Sequence, residues 1–182
     1  MINDDDTALV ESLRRGQREA FAELAQRYTR AIYNAAYRVL GNEPDARDVT
    51  QAVFLKVYER LGEFDSRYRF FSWIYRIAVN ESIDLLRHNR RLDPIEDEAA
   101  LAGPDGTDPE QQYGGKQLSE RVQRALMHLK ADDRVVVTLR HFSECSYREI
   151  AEILNLEEKT VKSRLFEARQ RLAVLLKDVR PN

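Results

Sequence analysis

Three groups of side chains in this 182-residue chain have types and spacings that could do chemistry. In each the chemistry is recognition, not bond-making. The first runs Arg69, Trp73, Arg76, Asn80, Asp84, Arg87 and Arg91, in steps of three or four. On a helix that spacing puts them on one face. A tryptophan among arginines and an asparagine suits an unpaired nucleic-acid strand: Trp stacks on bases, Arg holds phosphates, and Asn reads a base edge. The competing assignment has Trp73 closing the core and the arginines solvated.

The second group is Lys159, Ser163, Phe166, Glu167 and Gln170, flanked by Lys162, Arg164 and Arg171. These lie opposite Val161 when the chain is rotated 100° per residue. Short polar or apolar side chains that reach base edges, with cations beside them for phosphates, make a duplex-reading helix. The plainer reading is a solvated amphipathic helix. The third group is Asp45, Asp48, Gln51, Ala52, Leu55 and Glu59, an acidic face with one leucine on it. Leu55 either anchors a protein partner or is one of the ordinary exposed leucines of any surface.

Catalytic constellations are missing by comparison. The sequence has no nucleophile motif, no P-loop and no glycine-rich phosphate loop. Its one cysteine, Cys145, allows no internal disulfide and reads as a small residue beside a helix pair. With only His88, His128 and His141 besides, no metal-ligand cluster forms, and neither a metal nor a cofactor is expected. Charged residues make up 33%, and no apolar run approaches the roughly 20 residues a membrane span needs. The acidic Met1-Ile2-Asn3-Asp4-Asp5-Asp6 lacks an apolar segment, so no secretory signal is expected and the location expected is cytoplasmic.

The net charge of −2 hides an uneven distribution. Residues 1–92 carry 15 basic and 14 acidic side chains, residues 93–115 none and 7, and residues 116–182 14 and 10. A strip of concentrated acid separates two weakly basic segments, so the acidic total does not argue against nucleic acid. The strip also holds three of the five prolines and four of the seven glycines. It cannot bury enough apolar surface to offset its ordering entropy and reads as a flexible linker.

The segments either side are helical in pattern, and they must position the three groups. Phe21, Leu24, Ala25, Tyr28, Ile32, Ala35, Ala36 and Val39 follow a three- to four-residue repeat that Gly41 ends. After Pro44, the next stripe is Val49, Val53, Phe54, Val57, Tyr58 and Leu61. Gly62 to Arg69 reads as a loop. A long helix from Phe70 to about Arg90 buries Phe71, Ile74, Ala78, Leu85 and Leu86. Beyond the linker, Leu118, Val122, Ala125, Leu126 and Leu129 mark a helix, and Asp132 is expected to cap another, through about Phe142. Ser146-Tyr147-Arg148-Glu149 has capping-box spacing, and Asn155 suits a left-handed turn. The last helix buries Val161, Leu165, Ala168, Leu172 and Leu175. Two helices joined by so short a turn suggest helix-turn-helix.

These words resemble a family. Asp45-Ala46-Arg47-Asp48-Val49-Thr50-Gln51-Ala52-Val53-Phe54-Leu55-Lys56-Val57-Tyr58, followed by Phe71-Ser72-Trp73-Ile74-Tyr75-Arg76-Ile77-Ala78-Val79-Asn80, resembles region 2 of bacterial extracytoplasmic-function (ECF) sigma factors. Tyr147 to Leu154 and Thr160-Val161-Lys162-Ser163-Arg164-Leu165-Phe166-Glu167-Ala168-Arg169 resemble their region 4, whose words are shared in part with response-regulator output domains. The resemblance implies a promoter-specificity subunit of RNA polymerase, not an enzyme, serving a stress or envelope-signal regulon. It gives Asp45, Asp48, Gln51 and Leu55 the β′ clamp helices as partner. Arg69, Trp73, Arg76, Asn80 and Arg87, with the Gly62–Ser72 loop, would open the −10 element. Lys159, Thr160, Lys162, Ser163, Arg164, Phe166 and Glu167 would read the −35 element, with region 4 also meeting the β flap. An anti-sigma protein is a further implied partner.

The expected architecture is all-α: region 2 over residues 1–92, an acidic linker over 93–115 and region 4 over 116–182. Three positions depart from the pattern. Ala52 stands where many members have Glu, Glu157 caps the final helix where Ser is common, and Glu167 stands where Arg is common. Two alternatives stay open from the residues alone: a DNA-binding regulator that acts by itself, and an enzyme with a DNA-binding tail.

Overall fold

The computed structural model describes residues 4–92 and 113–177. The described residues are helical throughout, with no strand among them. The first unit holds α1 (Asp4–Arg14), α2 (Arg18–Leu40), α3 (Glu43–Glu59), a 3-10 turn (Leu61–Glu63) and α4 (Phe70–Leu92). The second holds α5 (Tyr113–Met127), α6 (Ala131–His141), α7 (Tyr147–Leu154) and α8 (Glu158–Lys177). Most of the expected acidic linker, residues 93–112, lies outside the described residues, as does the side chain of Leu118. Tyr113, Gly114 and Gly115, read from sequence as linker, belong to α5.

Local chemistry sets the boundaries. Gly41 closes α2 in the left-handed conformation at φ 86°, its N–H donating to the Tyr37 carbonyl. Asn42 then caps α3, its side chain accepting from the Asp45 N–H at 2.8 Å, with Pro44 in the first turn. Ser146 and Glu149 form the reciprocal capping box of α7, and Asn155 ends that helix at φ 52°. The expectation for Asp132 is corrected. Lys130 holds the cap position of α6 without a side-chain bond, and Asp132 sits inside the first turn.

The helix α1 was not foreseen, though its signals are present. Its opening aspartates suit the positive end of a helix dipole, and Leu9, Val10 and Leu13 share a face. Tyr58 is corrected as well: it was placed in the buried stripe of α3 but is 56% exposed, while Ala46 and Thr50 are buried instead.

Leu24, Ile32, Val53, Val57 and Ile74 centre the first unit, and Leu126, Leu139, Ile150, Ile153 and Leu165 the second. Each such side chain contributes on the order of 1.5–3 kcal/mol by leaving water. The two centres belong to one continuous apolar core, because α2 packs on α5 and α6, and α4 packs on α7. The helix α6 is enclosed on nearly all sides, from Asp133 to Leu139. Its Val135-Val136-Val137 run is the sequence mark of such a two-sided burial. Its charges are compensated: Asp133 accepts from Arg171 at 2.5 Å, and Arg134 donates to backbone carbonyls.

Candidate nucleic-acid interface

The loop before α4 is built by its own residues. Asp65 accepts from the Arg67 N–H at 3.0 Å and from the Arg67 guanidinium, which holds its carboxyl below the usual carboxylate range. Arg14 of α1 reaches across to the Phe64 and Leu61 carbonyls, tying the turn down. Beneath it Asp6, itself buried, accepts from the Tyr28 hydroxyl and the Arg27 guanidinium, each at 2.5 Å. Burial, then that bond to Asp6, pushes the Tyr28 hydroxyl well above its ordinary pKa, so it stays a donor. A cavity of about 500 Å³ opens between Asp6, Thr7, Tyr28, the Ser66–Phe71 segment and Glu149. Its rim carries the exposed ring of Tyr68.

Trp73 is half-buried, with its ring centroid 5.3 Å from Phe64 and 5.8 Å from Phe70. Trp73 therefore closes the core edge and leaves part of its surface open. Arg76 and Asn80 are exposed one and two turns on, and Arg87 lies further out, 3.7 Å from Asp84. Arg69 is half-buried. The span from Trp73 to Arg87 is about 21 Å along the axis at 1.5 Å per residue. Three groups at the start of this face already have partners from α7. Arg69 pairs with Glu149, the Ser72 hydroxyl donates to Glu152 at 3.3 Å, and Arg76 donates to the Glu152 carbonyl.

On the second unit the helix-turn-helix is α7, Asn155-Leu156-Glu157 and α8. The Glu157 carbonyl accepts the Val161 N–H at 3.1 Å, so Glu157 occupies the cap position. Val161, Leu165 and Ala168 face inward. Lys159, Lys162, Ser163, Phe166 and Glu167 are all exposed, Phe166 at 64%. Thr160 is half-buried at the edge of this face. Arg164 is also half-buried and turns toward α6, 3.6 Å from Asp132. Lys162 stands over the Tyr147 ring at 5.6 Å, with Arg140 also near that ring at 5.0 Å. Cys145 is buried behind the turn, where burial first and Glu149 second push its thiol to about 12. It is an inert packing residue.

A third surface lies on α2 and α3. Phe21, Ala25, Tyr33, Phe54, Leu55 and Tyr58 line an open, largely apolar groove of about 920 Å³, edged by Arg30, Arg47 and Gln51. Leu55 is 57% exposed. Gln51 and Asp48 are exposed beside it, whereas Asp45 is half-buried and engaged by Asn42 at 2.9 Å. The aromatic members Phe21, Tyr33, Phe54 and Tyr58 were absent from the sequence-based site. They come from two helices, and only packing shows that they share one trough.

Two family profiles divide the chain along the same lines. Sigma-70 region 2 matches residues 24–92, and Sigma-70 region 4 matches residues 119–172. Together they define a sigma-type protein: a region 2 bundle paired with a region 4 helix-turn-helix, of the class of promoter-specificity factors. More narrowly, this chain belongs to the ECF RNA polymerase sigma factors. It is 34% identical over 181 residues to the ECF sigma factor SigW of Bacillus subtilis, covering 93% of this chain and 96% of the relative. It is 33% identical over 174 residues to the sigma-E factor of Escherichia coli K12, covering 91% of each. Among solved structures it resembles CnrH in complex with the cytosolic domain of CnrY, with TM-score 0.75, 28% identity and 96% and 99% of the two chains covered. It also resembles the sigma factor RpoE of Bartonella quintana in complex with the anti-sigma factor NepR, with TM-score 0.70, 27% identity and 88% and 98% covered. Among the described residues no helix is long and apolar enough to cross a membrane, and no group of His, Cys, Asp and Glu is placed to hold a metal.

Proposed function

We propose that this chain binds core RNA polymerase in the cytoplasm and directs initiation at promoters with −35 and −10 elements, for an alternative, signal-dependent regulon. It contributes no catalytic group; the polymerase makes the bonds. Residues 1–92 act on the −10 element, residues 93–115 connect, and residues 116–182 act on the −35 element.

The observation that carries this reading is the pairing, in one chain, of two unlike outward surfaces. One has a half-open tryptophan beside arginines and a cavity. The other has an exposed Phe166 among Lys159, Lys162 and Ser163 on the second helix of a helix-turn-helix. Separating a DNA step costs on the order of 1.4 kcal/mol in stacking. An aromatic platform returns roughly 1–3 kcal/mol per base. Trp73 therefore offsets one or two steps, and Arg69, Arg76 and Arg87 add phosphate contacts, with Asn80 on a base edge. Ser163, Phe166 and Glu167 face bases of the duplex, each discriminating by roughly 1–3 kcal/mol. Lys159, Thr160, Lys162 and Arg164 serve phosphates.

The groove between α2 and α3 takes the β′ clamp helices through Leu55, Gln51, Asp48 and Tyr58, with Asp45 fixing the start of α3. The second unit meets the β flap. An anti-sigma protein belongs to the same reading, by likeness to the RpoE–NepR complex.

Transcription in vitro with core polymerase tests it. Adding the chain should produce transcripts from a defined start on a promoter library, and W73A/R76A should abolish them on duplex templates while sparing templates already melted around the start. Tight operator binding by the chain alone, with no effect of core polymerase, would overturn it.

A further inference from the structure

We propose that α1 is the brace of the strand-opening loop, and that Arg14 is the positioning residue through which it acts. The proposal rests on the strand-opening reading above. This helix lies ahead of residues 24–92, the stretch that matches region 2. It is a rigid mount. Val10 and Leu13 are buried in the core, and the buried Asp6 of its first turn accepts from the Tyr28 hydroxyl and the Arg27 guanidinium. Gly16, in the left-handed conformation at φ 87°, follows the helix and donates its N–H to the Leu13 carbonyl at 2.9 Å. Arg14 thus leaves the last turn of a fixed element and reaches residues 47 and 50 positions away.

What it holds is the entry to the loop. The Arg14 Nη2 donates to the Leu61 carbonyl at 3.3 Å and to the Phe64 carbonyl. Leu61 opens the 3-10 turn, and Phe64 is where the chain leaves it in an extended conformation, at φ −67° and ψ 121°. The guanidinium carbon also stands 5.8 Å from the centre of the Phe64 ring. Phe64 is buried, and its ring meets Phe70 edge-on at 5.8 Å and Trp73 at 5.3 Å. Arg14 therefore fixes Phe64, and Phe64 backs the Trp73 platform. From the other side Tyr28, held by Asp6, sets its ring edge-on to Phe70 at 5.5 Å. Both aromatic walls beneath the loop are tied to α1.

The bonds within the loop are local. Asp65 takes the Arg67 N–H and guanidinium, and the Asp65 carbonyl takes the Tyr68 N–H at 3.0 Å. They bend the loop but do not seat it on the bundle. Arg14 supplies a seat, and a planar fork that is always charged suits a donor shared between two carbonyls. Strand capture works only in the fraction of molecules whose loop holds the receiving pose, and apparent affinity falls in proportion to that fraction. Arg14 raises the fraction without touching the strand. Arg15, one position on, bonds the Ser12 hydroxyl at 3.4 Å within α1.

The test compares R14A with R15A, which removes the same charge from the same end of the helix. Both positions are exposed, so the core stays intact. Trp73 is the single tryptophan of the chain, and its fluorescence reads the platform directly. In the full chain R14A should shift Trp73 emission to the red and raise its quenching by acrylamide, at temperatures where far-UV circular dichroism is native. R15A should do neither. In holoenzyme, R14A should slow the opening of a duplex promoter about tenfold, as for a receiving pose reduced to about a tenth of the molecules. A 2-aminopurine in the opened segment follows the rate. Transcription from a template already melted around the start, and affinity for core polymerase, should not change. Unaltered Trp73 fluorescence in R14A, or equal opening rates for R14A and R15A, would overturn the proposal. A W73A holoenzyme separates the underlying reading. If it opens duplex promoters at the normal rate, the strand-opening reading falls and the proposal with it. If W73A is slow while R14A keeps pace with wild type, only the proposal falls.

Discussion

Gly41, the left-handed cap of α2, lies directly against the Met127 thioether at the end of α5, with no room between them for a Cβ. The residue that stops α2 is thus also where the second unit seats. G41A should be penalised chiefly through its backbone. The left-handed conformation costs an alanine about 1–2 kcal/mol, and the flexible Met127 thioether must swing aside from the new methyl at a smaller cost. Urea denaturation should show a loss of about 1–2 kcal/mol. G41A/M127A should be less destabilised than the sum of the two single changes, because truncating Met127 removes the collision. Strict additivity would mean that the two residues do not meet.

Acid should loosen α7 before it unfolds the chain. The Glu149 pKa is depressed in the folded state, so its contribution is fully present above the ordinary value of 4.5 and fades as pH falls through the lower, folded-state value. The stability difference between wild type and E149Q should be constant from pH 7 to about 5 and shrink below pH 4.5. Thermal unfolding across that range checks it, and a difference that grows toward low pH would contradict it.

The groove on α2 and α3 should matter for association and not for folding. L55A and Y58A each remove a largely exposed side chain, so melting temperatures should move by no more than a degree or two. Affinity for core polymerase should fall by about 1–3 kcal/mol for each, as for anchors at other protein interfaces. D48N and Q51A should have smaller effects. Fluorescence anisotropy with labelled chain reads this directly.

Phosphate and base contacts on α8 should separate by salt dependence. K162A removes one cation from an exposed position, so holoenzyme binding to all promoters should weaken about equally and the salt slope drop by about one. F166A and E167Q should change which −35 sequences are preferred and leave the slope nearly intact. A sequence-selective effect of K162A would reverse these assignments.

Much of the architecture was legible because helices announce themselves through local rules. The repeat from Leu24 to Val39, the Gly41 stop, the Ser146–Glu149 box and the left-handed Asn155 each depend on residues within a few positions of one another. The same locality explains why Phe166, Lys162 and Ser163 were placed correctly on the open side of α8. What escaped was non-local. Asp6 became a buried partner only because Tyr28 and Arg27 come to it across α2. Tyr58 left the core because it flanks a trough shared with Phe21. Arg164, a flank of the open face, is half-buried and lies 3.6 Å from Asp132 of α6, a pairing that the spacing does not record.

The sequence by itself therefore determined most of the helices, the Gly41, Ser146–Glu149 and Asn155 boundaries and the open side of α8, since these follow from composition and short-range periodicity. Only the tertiary structure decided that the units share one core, that Arg134 joins them through backbone carbonyls, and that Glu149 and Glu152 lie on Arg69 and Arg76. Those pairings bring together residues 76 to 95 positions apart. No local pattern records them, because the free energy that selects them comes from burying surface between elements and not from the conformational preference of any single stretch.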